Sequence, residues 1–422
     1  MFQKIRANRA LLAILFTIFV DMLGIGILIP VIPLLLADPR SPYYLLPGGY
    51  SMQQGFVLLG FLTASYPFMM FLAAPILGQL SDVFGRRRIL AFSLFGTFLS
   101  YGIFAIGIIM RNIPLLFFSR MVDGITGGNI AVAQAAAADV TTPQNRAKTF
   151  GLIGSMFGLG FIIGPYLGGK LSDHTLVSWF SAATPFWFAA MLSGLNVLSV
   201  VFFFPETRES IEKILHIRWA QSFHNIFQAF TARGMRGLFT VSFLYTSGFS
   251  FMTAFFSVYL IRRFGFSQGN IGDFFAYLGI WIAFTQAVIT RKLSARVSES
   301  NILRFTMLGT AIAFMLFFVP RVSWQLLLVA PVLAINNGLT YANLLSLISR
   351  SADASIQGEI MGINSSLQAL GQSIPPILSG MVAAQFNPEM PIVVGATIVF
   401  LSWLLFIFVF HNPLRRKVYH EG

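Results

Sequence analysis

Twelve long apolar runs are the feature that most constrains how this chain of 422 residues can fold. A helix needs about 20 apolar residues to cross the hydrocarbon core of a bilayer. Runs of that size occur at residues 10–37, 52–78, 89–110, 113–139, 148–170, 183–204, 236–261, 269–289, 301–319, 323–348, 358–384 and 391–411. Charged residues make up only 10% of the chain, too few to cover the surface of a soluble protein. The sequence therefore predicts an all-α membrane protein with twelve transmembrane helices.

The distribution of basic residues predicts how these helices are oriented. Of the 28 Lys and Arg residues, 21 fall on the side of the amino terminus, six fall on the opposite side, and Arg120 lies within a span. Because basic residues concentrate in cytoplasmic loops, this bias predicts cytoplasmic termini in a multi-pass inner (plasma) membrane protein. It also accounts for the net charge of +13 without a nucleic-acid partner.

An internal repeat predicts two pseudo-symmetric halves of six helices each. The residues Gly151, Gly160, Pro165 and Gly169 recur 211 positions later as Gly362, Gly371, Pro376 and Gly380. Duplicated six-helix halves are an architecture of transporters. Chance is the alternative, because small residues are common in membrane helices. We expect an amino-terminal half at 1–204, a cytoplasmic linker at 205–234 and a carboxy-terminal half at 235–422.

The loop after the second span carries a cluster that we call the latch. Its residues are Gly78, Asp82, Gly85, Arg86 and Arg87. We expect Gly78 to allow close approach of a helix and Gly85 to allow a tight turn. Asp82 suits a helix amino terminus, and the arginines suit carboxylates. A cytoplasmic membrane anchor would explain the arginines, but not the glycines and the aspartate. The corresponding segment of the second half, from Arg291 to Arg296, is degenerate.

Three charged residues lie inside spans, and they are the candidates for proton coupling: Asp21, Arg120 and Asp123. A charge near the bilayer centre costs about 2.5–3.5 kcal/mol on insertion scales, so such residues usually mark a transport pathway. Arg120 and Asp123 are three positions apart on one helix face. The alternative for this pair is a structural ion pair with no role in transport.

The second half has neutral polar residues in its spans instead. The candidates for a substrate cavity are Tyr245, Gln286, Asn336, Asn337, Tyr341, Asn364, Gln368 and Gln372. The last three are spaced by four, which predicts one stripe along a helix. Hydrogen bonding between helices is the alternative explanation for each of them.

Several of these motifs resemble the major facilitator superfamily. The latch is similar to the family signature G-x-L-a-D-x-x-G-R-[KR]-x between helices 2 and 3. The fifth span matches the antiporter motif G-x8-G-x3-G-P-x2-G-G at every position, through Gly151, Gly160, Gly164, Pro165, Gly168 and Gly169. Arg120 and Gly124 fit the motif R-x-x-Q-G, with Asp123 where glutamine is usual. Asp21, with the glycines and prolines that follow it, resembles the tetracycline and multidrug exporter branch.

The resemblance implies the major facilitator fold and secondary active transport by alternating access. It favours proton-coupled antiport that exports small amphipathic molecules or drugs. The alternative on the same fold is a proton-coupled symporter that imports a nutrient or sugar. The branch that exports tetracycline has further charged residues in its second half, which this chain lacks.

An enzyme or a non-transporting receptor is the alternative from another class of protein. No G-x-S-x-G, H-E-x-x-H or nucleotide-binding G-x-x-x-x-G-K-[ST] sequence is present. We therefore expect a monomeric transporter without enzymatic activity, cofactor or metal, whose partners are a small-molecule substrate, protons and membrane lipid.

Overall fold

The computed structural model describes residues 2–141, 146–208, 217–231, 234–294, 296–351 and 357–411. Fifteen α-helices and no strand occur in these ranges. The helices are α1 (Phe2–Leu36), α2 (Met52–Phe84), α3 (Arg86–Ile109), α4 (Ile113–Thr126), α5 (Asn129–Asp139), α6 (Arg146–Leu171), α7 (Thr184–Phe203), α8 (Gln221–Thr231), α9 (Arg236–Phe264), α10 (Gln268–Phe284), α11 (Arg291–Ser294), α12 (Glu299–Leu316), α13 (Leu326–Arg350), α14 (Gln357–Gln385) and α15 (Met390–His411). A π-helical segment, Thr285–Thr290, joins α10 to α11.

Each predicted span coincides with a helix or with consecutive helical segments. Nine helices in the described ranges are long and apolar enough to cross a membrane. The fourth, ninth and eleventh predicted spans are not among them. The fourth is divided between α4 and α5, and the other two correspond to the more polar α12 and α14. The predicted linker at 205–234 contains α8, and its residues 209–216 and 232–233 lie outside the described ranges.

The division between α4 and α5 falls at two adjacent glycines. A Cβ on Gly128 would lie 2.8 Å from the Cα of Ala74 on α2, and one on Gly127 would lie 2.5 Å from the hydroxyl of Tyr66. These glycines therefore let α2 approach the backbone of the fourth span. This contact lies directly after Arg120 and Asp123, so it places α2 beside the charged part of α4.

The first of two compact units comprises Met1–Tyr50, Ser65–Gln221 and Phe266–Ala276. Within it, α1 packs against α5, α6 and α7, and α3 packs against α4, α5 and α7. One buried apolar cluster joins Ile14 and Ile18 of α1 to Leu94 of α3 and Val132 of α5. The second unit comprises Ser51–Ala64, Ser222–Gly265 and Tyr277–Gly422. There α9 packs against α14 and α15, while α12 packs against α13 and α15.

Glycines of the internal repeat make equivalent contacts in the two units. In the first, a Cβ on Gly169 of α6 would lie 3.1 Å from the Cα of Gly272 on α10. In the second, a Cβ on Gly380 of α14 would lie 3.3 Å from the Cα of Gly60 on α2. The repeated sequence therefore specifies repeated close packing between helix backbones.

The other glycines of α6, the fifth predicted span, are of two kinds: some are closely packed and others have no neighbouring atoms in the described ranges. A Cβ on Gly160 would lie 2.9 Å from Leu23 N of α1, and a Cβ on Gly168 would lie 2.9 Å from the Cα of Ile27. Among the described residues, nothing lies within 4 Å of a Cβ on Gly151. The closely packed face of α6 thus meets α1 inside the first unit, and Gly151 does not contribute to it.

Gly164→Ala is expected to destabilise the protein by about 1–3 kcal/mol, the usual cost of overpacking. Its Cβ would lie 2.5 Å from the Leu23 carbonyl oxygen and 2.8 Å from the Cα of Gly26, and neither backbone atom can rotate away. The control is Gly154→Ala on the same helix, where no described atom lies within 4 Å and alanine is the better helix former. Thermal unfolding of the purified proteins measures both. Equal midpoints would contradict the close approach of α1 and α6.

Candidate functional site

A buried ion pair on α4 forms the centre of the candidate site in the first unit. Nη2 of Arg120 lies 2.9 Å from Oδ2 of Asp123, one helical turn away. The side chains are only 3% and 2% exposed. The Asp123 carboxylate also accepts a hydrogen bond of 3.1 Å from the hydroxyl of Ser100 on α3. Both charges are thus removed from water but opposed by a partner, as a stable arrangement requires.

Aromatic rings surround the guanidinium group of Arg120. Its Cζ lies 5.2 Å from the ring centroid of Phe104, 5.7 Å from that of Tyr101 and 5.9 Å from that of Tyr66. These distances allow cation–π attraction, which is strongest where water is excluded. The tyrosines were not identified from the sequence, because neither has a motif around it. Tyr101 packs against Gly24, one of the glycines that follow Asp21 in the first span. A Cβ on Gly24 would overlap the hydroxyl group of Tyr101.

Asp21 brings a second carboxyl group close to this pair. Its side chain is 5% exposed and lies within electrostatic range of Asp123. The side chain of Asn129, the first residue of α5, lies beside it. Neither Asp21 Oδ2 nor the two polar atoms of Asn129 have a well-oriented hydrogen-bond partner among the described residues. Buried polar groups in this state are suited to binding an ordered water molecule.

The latch is an ion-pair network in the first unit, but its details differ from those predicted. Asp82 forms ion pairs with two guanidinium groups, those of Arg86 at 2.9 Å and Arg208 at 3.2 Å, and does not lie at a helix amino terminus. Arg86 also contacts Asp139 at the end of α5, at 3.1 Å. Arg87 donates to the carbonyl oxygen of Val201. The loop arginines are therefore fixed by carboxylates and a carbonyl group.

Glu206, not Asp82, occupies the amino terminus of α3. Its carboxylate accepts hydrogen bonds from the backbone N–H of Arg86 at 2.9 Å and of Arg87 at 3.2 Å. A carboxylate is favoured here by unpaired N–H groups and by the helix dipole. This role of Glu206 was not identified from the sequence, because the residue lies after the sixth span and is distant from this loop along the chain.

The structure agrees with the prediction for one glycine of the latch and disagrees with it for the other. Gly85 has φ of +92°, so the expected tight turn is confirmed. Gly78 is not a site of close approach, since no described atom lies within 4 Å of a Cβ built on it.

Gly85→Val is expected to lower stability by about 1–3 kcal/mol. Valine is strained at this φ, and its side chain would run into the carboxylate of Glu206, displacing the helix cap. Gly48→Val is the control, because it lies in a loop where no described atom is within 4 Å. The unfolding midpoint of the purified variants is the measurement, and a Gly85→Val protein as stable as the control would refute the strained turn.

Two pairs of the candidate polar residues come together in the second unit. The hydroxyl of Tyr245 donates to Oδ1 of Asn337 at 2.8 Å and lies 3.3 Å from the hydroxyl of Thr310. Tyr341, which is 49% exposed, lies beside Gln368. These pairs bridge α9 to α13 and α13 to α14.

The other four candidates do not join a single cluster. Asn364 is buried and accepts from Ser242, whereas Gln372 of the same helix is exposed. The predicted stripe of three amides thus turns from the protein interior to its surface, because a spacing of four drifts around a helix of 3.6 residues per turn. Asn336 donates to the carbonyl oxygen of Val332, and Gln286 lies exposed in the π-helical segment.

Comparison with known proteins gives one consistent family. Residues 14–376 match the family model of the Major Facilitator Superfamily. The chain is 33% identical over 381 residues to "Tetracycline resistance protein, class C" of Escherichia coli, covering 88% of this chain and 89% of that protein. It is 27% identical over 382 residues to "Multidrug resistance protein 1" of Bacillus subtilis (strain 168), covering 89% and 90%.

Solved structures resemble the chain over nearly its full length. The human organic anion transporter MFSD10 (TETRAN) has a TM-score of 0.71 at 24% identity, covering 95% of this chain and 99% of that one. A D-xylose-proton symporter has a TM-score of 0.73 at 15% identity, covering 94% and 96%. At these identities the structures establish the fold alone, which is an all-helical one of twelve spans in two halves.

Proposed function

Because this chain belongs to the Major Facilitator Superfamily, it is a multi-pass membrane transporter and not an enzyme, and we propose that it exports small amphipathic molecules in exchange for protons. The names of its relatives support export, since they include resistance to tetracycline and to multiple drugs. The bias of basic residues supports an inner-membrane location with both termini in the cytoplasm. We propose that the transporter acts as a monomer.

The observation that carries the proposal is the carboxyl group of Asp21. It is buried inside α1, and its Oδ2 lacks a hydrogen-bond partner in the described part of the chain. Unlike Asp123, it forms no ion pair with a described residue. Burial without a fixed cation favours the neutral form of a carboxyl group, so Asp21 can take up a proton and release it when its surroundings change. We assign proton coupling to Asp21, with Arg120 and Asp123 as the charged pair that senses its protonation.

The second unit supplies neutral hydrogen-bonding groups for a substrate. Tyr341 and Gln368 lie on adjacent helices, and Tyr341 is the more exposed. An aromatic ring with a hydroxyl group suits a ligand that is partly apolar and partly polar. We propose that this pair contacts substrate directly, and that Tyr245 and Asn337 hold α9 and α13 in position behind it. The remaining amides stay candidates for the same cavity.

The latch is proposed to set the balance between the inward-open and outward-open states. Its network joins the ends of α2, α3 and α5 through Asp82, Arg86 and Asp139. A charged network at a helix end can be broken and remade when neighbouring helices shift. The bias of basic residues supports a position for the latch at the cytoplasmic ends of the helices, so it is expected to affect transport rate more than substrate affinity.

Proton exchange can be tested with purified protein in liposomes that contain a pH-sensitive dye. With an acidic lumen, addition of an antiported substrate outside should release protons from the lumen. The panel should include tetracycline, cationic dyes and organic anions, with protein-free liposomes as the control. A substrate that instead enters together with protons would establish the symporter alternative. Accumulation that is unaffected by collapse of the proton gradient would refute proton coupling of either kind.

A further inference from the structure

The second unit contains a basic groove at the end of the eighth span. The cavity has a volume of about 700 Å³ and is lined by Ala287, Val288, Arg291, Lys292 and Arg296. The first two residues belong to the π-helical segment, the next two to α11, and the last to the turn that follows. The transport mechanism proposed above uses none of these five residues.

The cations of this groove have no counter-charge among the described residues. Arg291, Lys292 and Arg296 are exposed and form no ion pair or side-chain hydrogen bond with any residue of the described ranges. The nearest acidic residue along the chain is Glu299, whose carboxylate is taken by Arg350 at 2.6 Å. Three positive charges therefore line one cavity, and no carboxylate in the described ranges neutralises them.

The corresponding segment of the first unit shows the contrast. There the buried Arg86 contacts both Asp82 and Asp139. The second unit keeps the basic residues of this loop, but no described carboxylate binds them. Such a difference is expected if the cations of the second unit bind an anion from outside the protein.

The shape of the groove indicates what kind of anion fits. Ala287 and Val288 precede Arg291 and Lys292 by about one helical turn, or ~5 Å towards the interior of the span. The cavity is thus basic at the membrane surface and apolar beneath it. A free inorganic anion would contact only the basic residues. A phospholipid can place its phosphate against the basic residues and its hydrocarbon chains against the apolar wall.

We propose that this groove binds the phosphate headgroup of an anionic phospholipid. Arginine can hold phosphate oxygens through paired N–H groups, and lysine adds a mobile point charge. Basic pockets at the cytoplasmic ends of transmembrane helices suit such headgroups. The proposal does not depend on the transported substrate or on proton coupling.

A general preference of basic residues for the cytoplasmic face is the simpler explanation, and it makes a different prediction. This explanation requires only that positive charge be present on the cytoplasmic side. Removal of any three exposed basic residues there should then weaken lipid binding equally. A matched control is therefore Arg88→Gln/Arg218→Gln/Arg236→Gln, which removes the same charge from exposed positions outside the groove. The groove variant is Arg291→Gln/Lys292→Gln/Arg296→Gln.

The experiment measures binding of labelled phosphatidylglycerol and phosphatidylcholine to the purified full-length protein in detergent. The unchanged protein should prefer phosphatidylglycerol. The groove variant should bind it at least about tenfold more weakly, since each cation near an anionic lipid contributes roughly a fivefold effect, whereas the control variant should bind nearly as before. Ala287→Trp fills the groove without altering charge and should weaken binding as well, which tests the site even if the triple variant does not fold.

Three results would overturn the proposal. One is equal loss of binding in the groove and control variants, which would mean a diffuse charge effect. Another is unaltered binding to folded Ala287→Trp protein. The third is displacement of the lipid by millimolar glycerol phosphate, which would identify a soluble phosphate compound as the ligand.

Discussion

Asp21→Asn protein is expected to lose proton-driven transport to background while remaining folded in the membrane. The carboxamide has nearly the shape of the carboxyl group but cannot ionise. Its stability should be unchanged or higher, because the carboxamide can never place a charge within the span, where a charge costs about 2.5–3.5 kcal/mol on insertion scales. The unpaired amide oxygen of Asn129 is available beside it as an acceptor. Function and stability should therefore change in opposite directions, as measured by proton release in liposomes and by thermal unfolding.

Asp38→Asn is the matched control, since it makes the same chemical change in a loop, where the carboxylate pairs with Arg40. It should retain proton-coupled transport. Normal coupling in the Asp21→Asn protein would show that the proton is carried elsewhere. A large loss of stability in that protein would show that the carboxylate has a structural role.

Breaking the ion pair of Arg120 and Asp123 should produce the second large effect. Removal of one partner from a buried pair costs about 3–5 kcal/mol, because the other charge is left uncompensated. Arg120→Gln and Asp123→Asn are each expected to destabilise by that amount. The double variant should be more stable than either single one, since it leaves no buried charge. Thermal unfolding of the four proteins forms a complete double-mutant cycle.

Transport by the double variant then separates a structural pair from a functional one. If the charges take part in coupling, the stable double variant should remain inactive. If they only hold α4 in place, its transport should recover together with its stability. Asp123→Gln restores the residue usual in the family and is expected to fold. Additive effects on stability would mean that the 2.9 Å contact contributes no coupling energy.

The spans could be predicted from the sequence because their signal is local. About 20 consecutive apolar residues form a helix in a membrane whatever lies beside them. The break between α4 and α5 could not be predicted in this way. It depends on Gly127 and Gly128 meeting α2, a contact between segments that are distant in the sequence. The π-helical turn at Thr285–Thr290 has no sequence signature either.

The contacts of the charged candidate residues could be predicted from the sequence better than those of the uncharged ones. A buried charge must find a partner, so the spacing of Arg120 and Asp123 already implied their contact. An amide can bond to its own helix, as Asn336 does with the carbonyl oxygen of Val332, and the sequence does not distinguish this from a cavity residue. In the latch, Asp82 and Glu206 are both acidic, and only the tertiary structure shows which of them lies at the start of α3.

The first unit is built from segments that are not continuous in the sequence, and this affects how the chain can fold as it is synthesised. Its segment Phe266–Ala276 is separated from the rest of the unit by the whole of α9. Glycine contacts such as that between Gly169 and Gly272 therefore cannot form until more than half of the chain has left the ribosome. In the same way, the first turns of α2 are made early but belong to the unit that is finished last. The two units therefore cannot fold one after the other. The first unit lacks some of its packing contacts until Phe266–Ala276 has been synthesised, and the segment Ser51–Ala64 lacks its packing partners until the second unit has been synthesised.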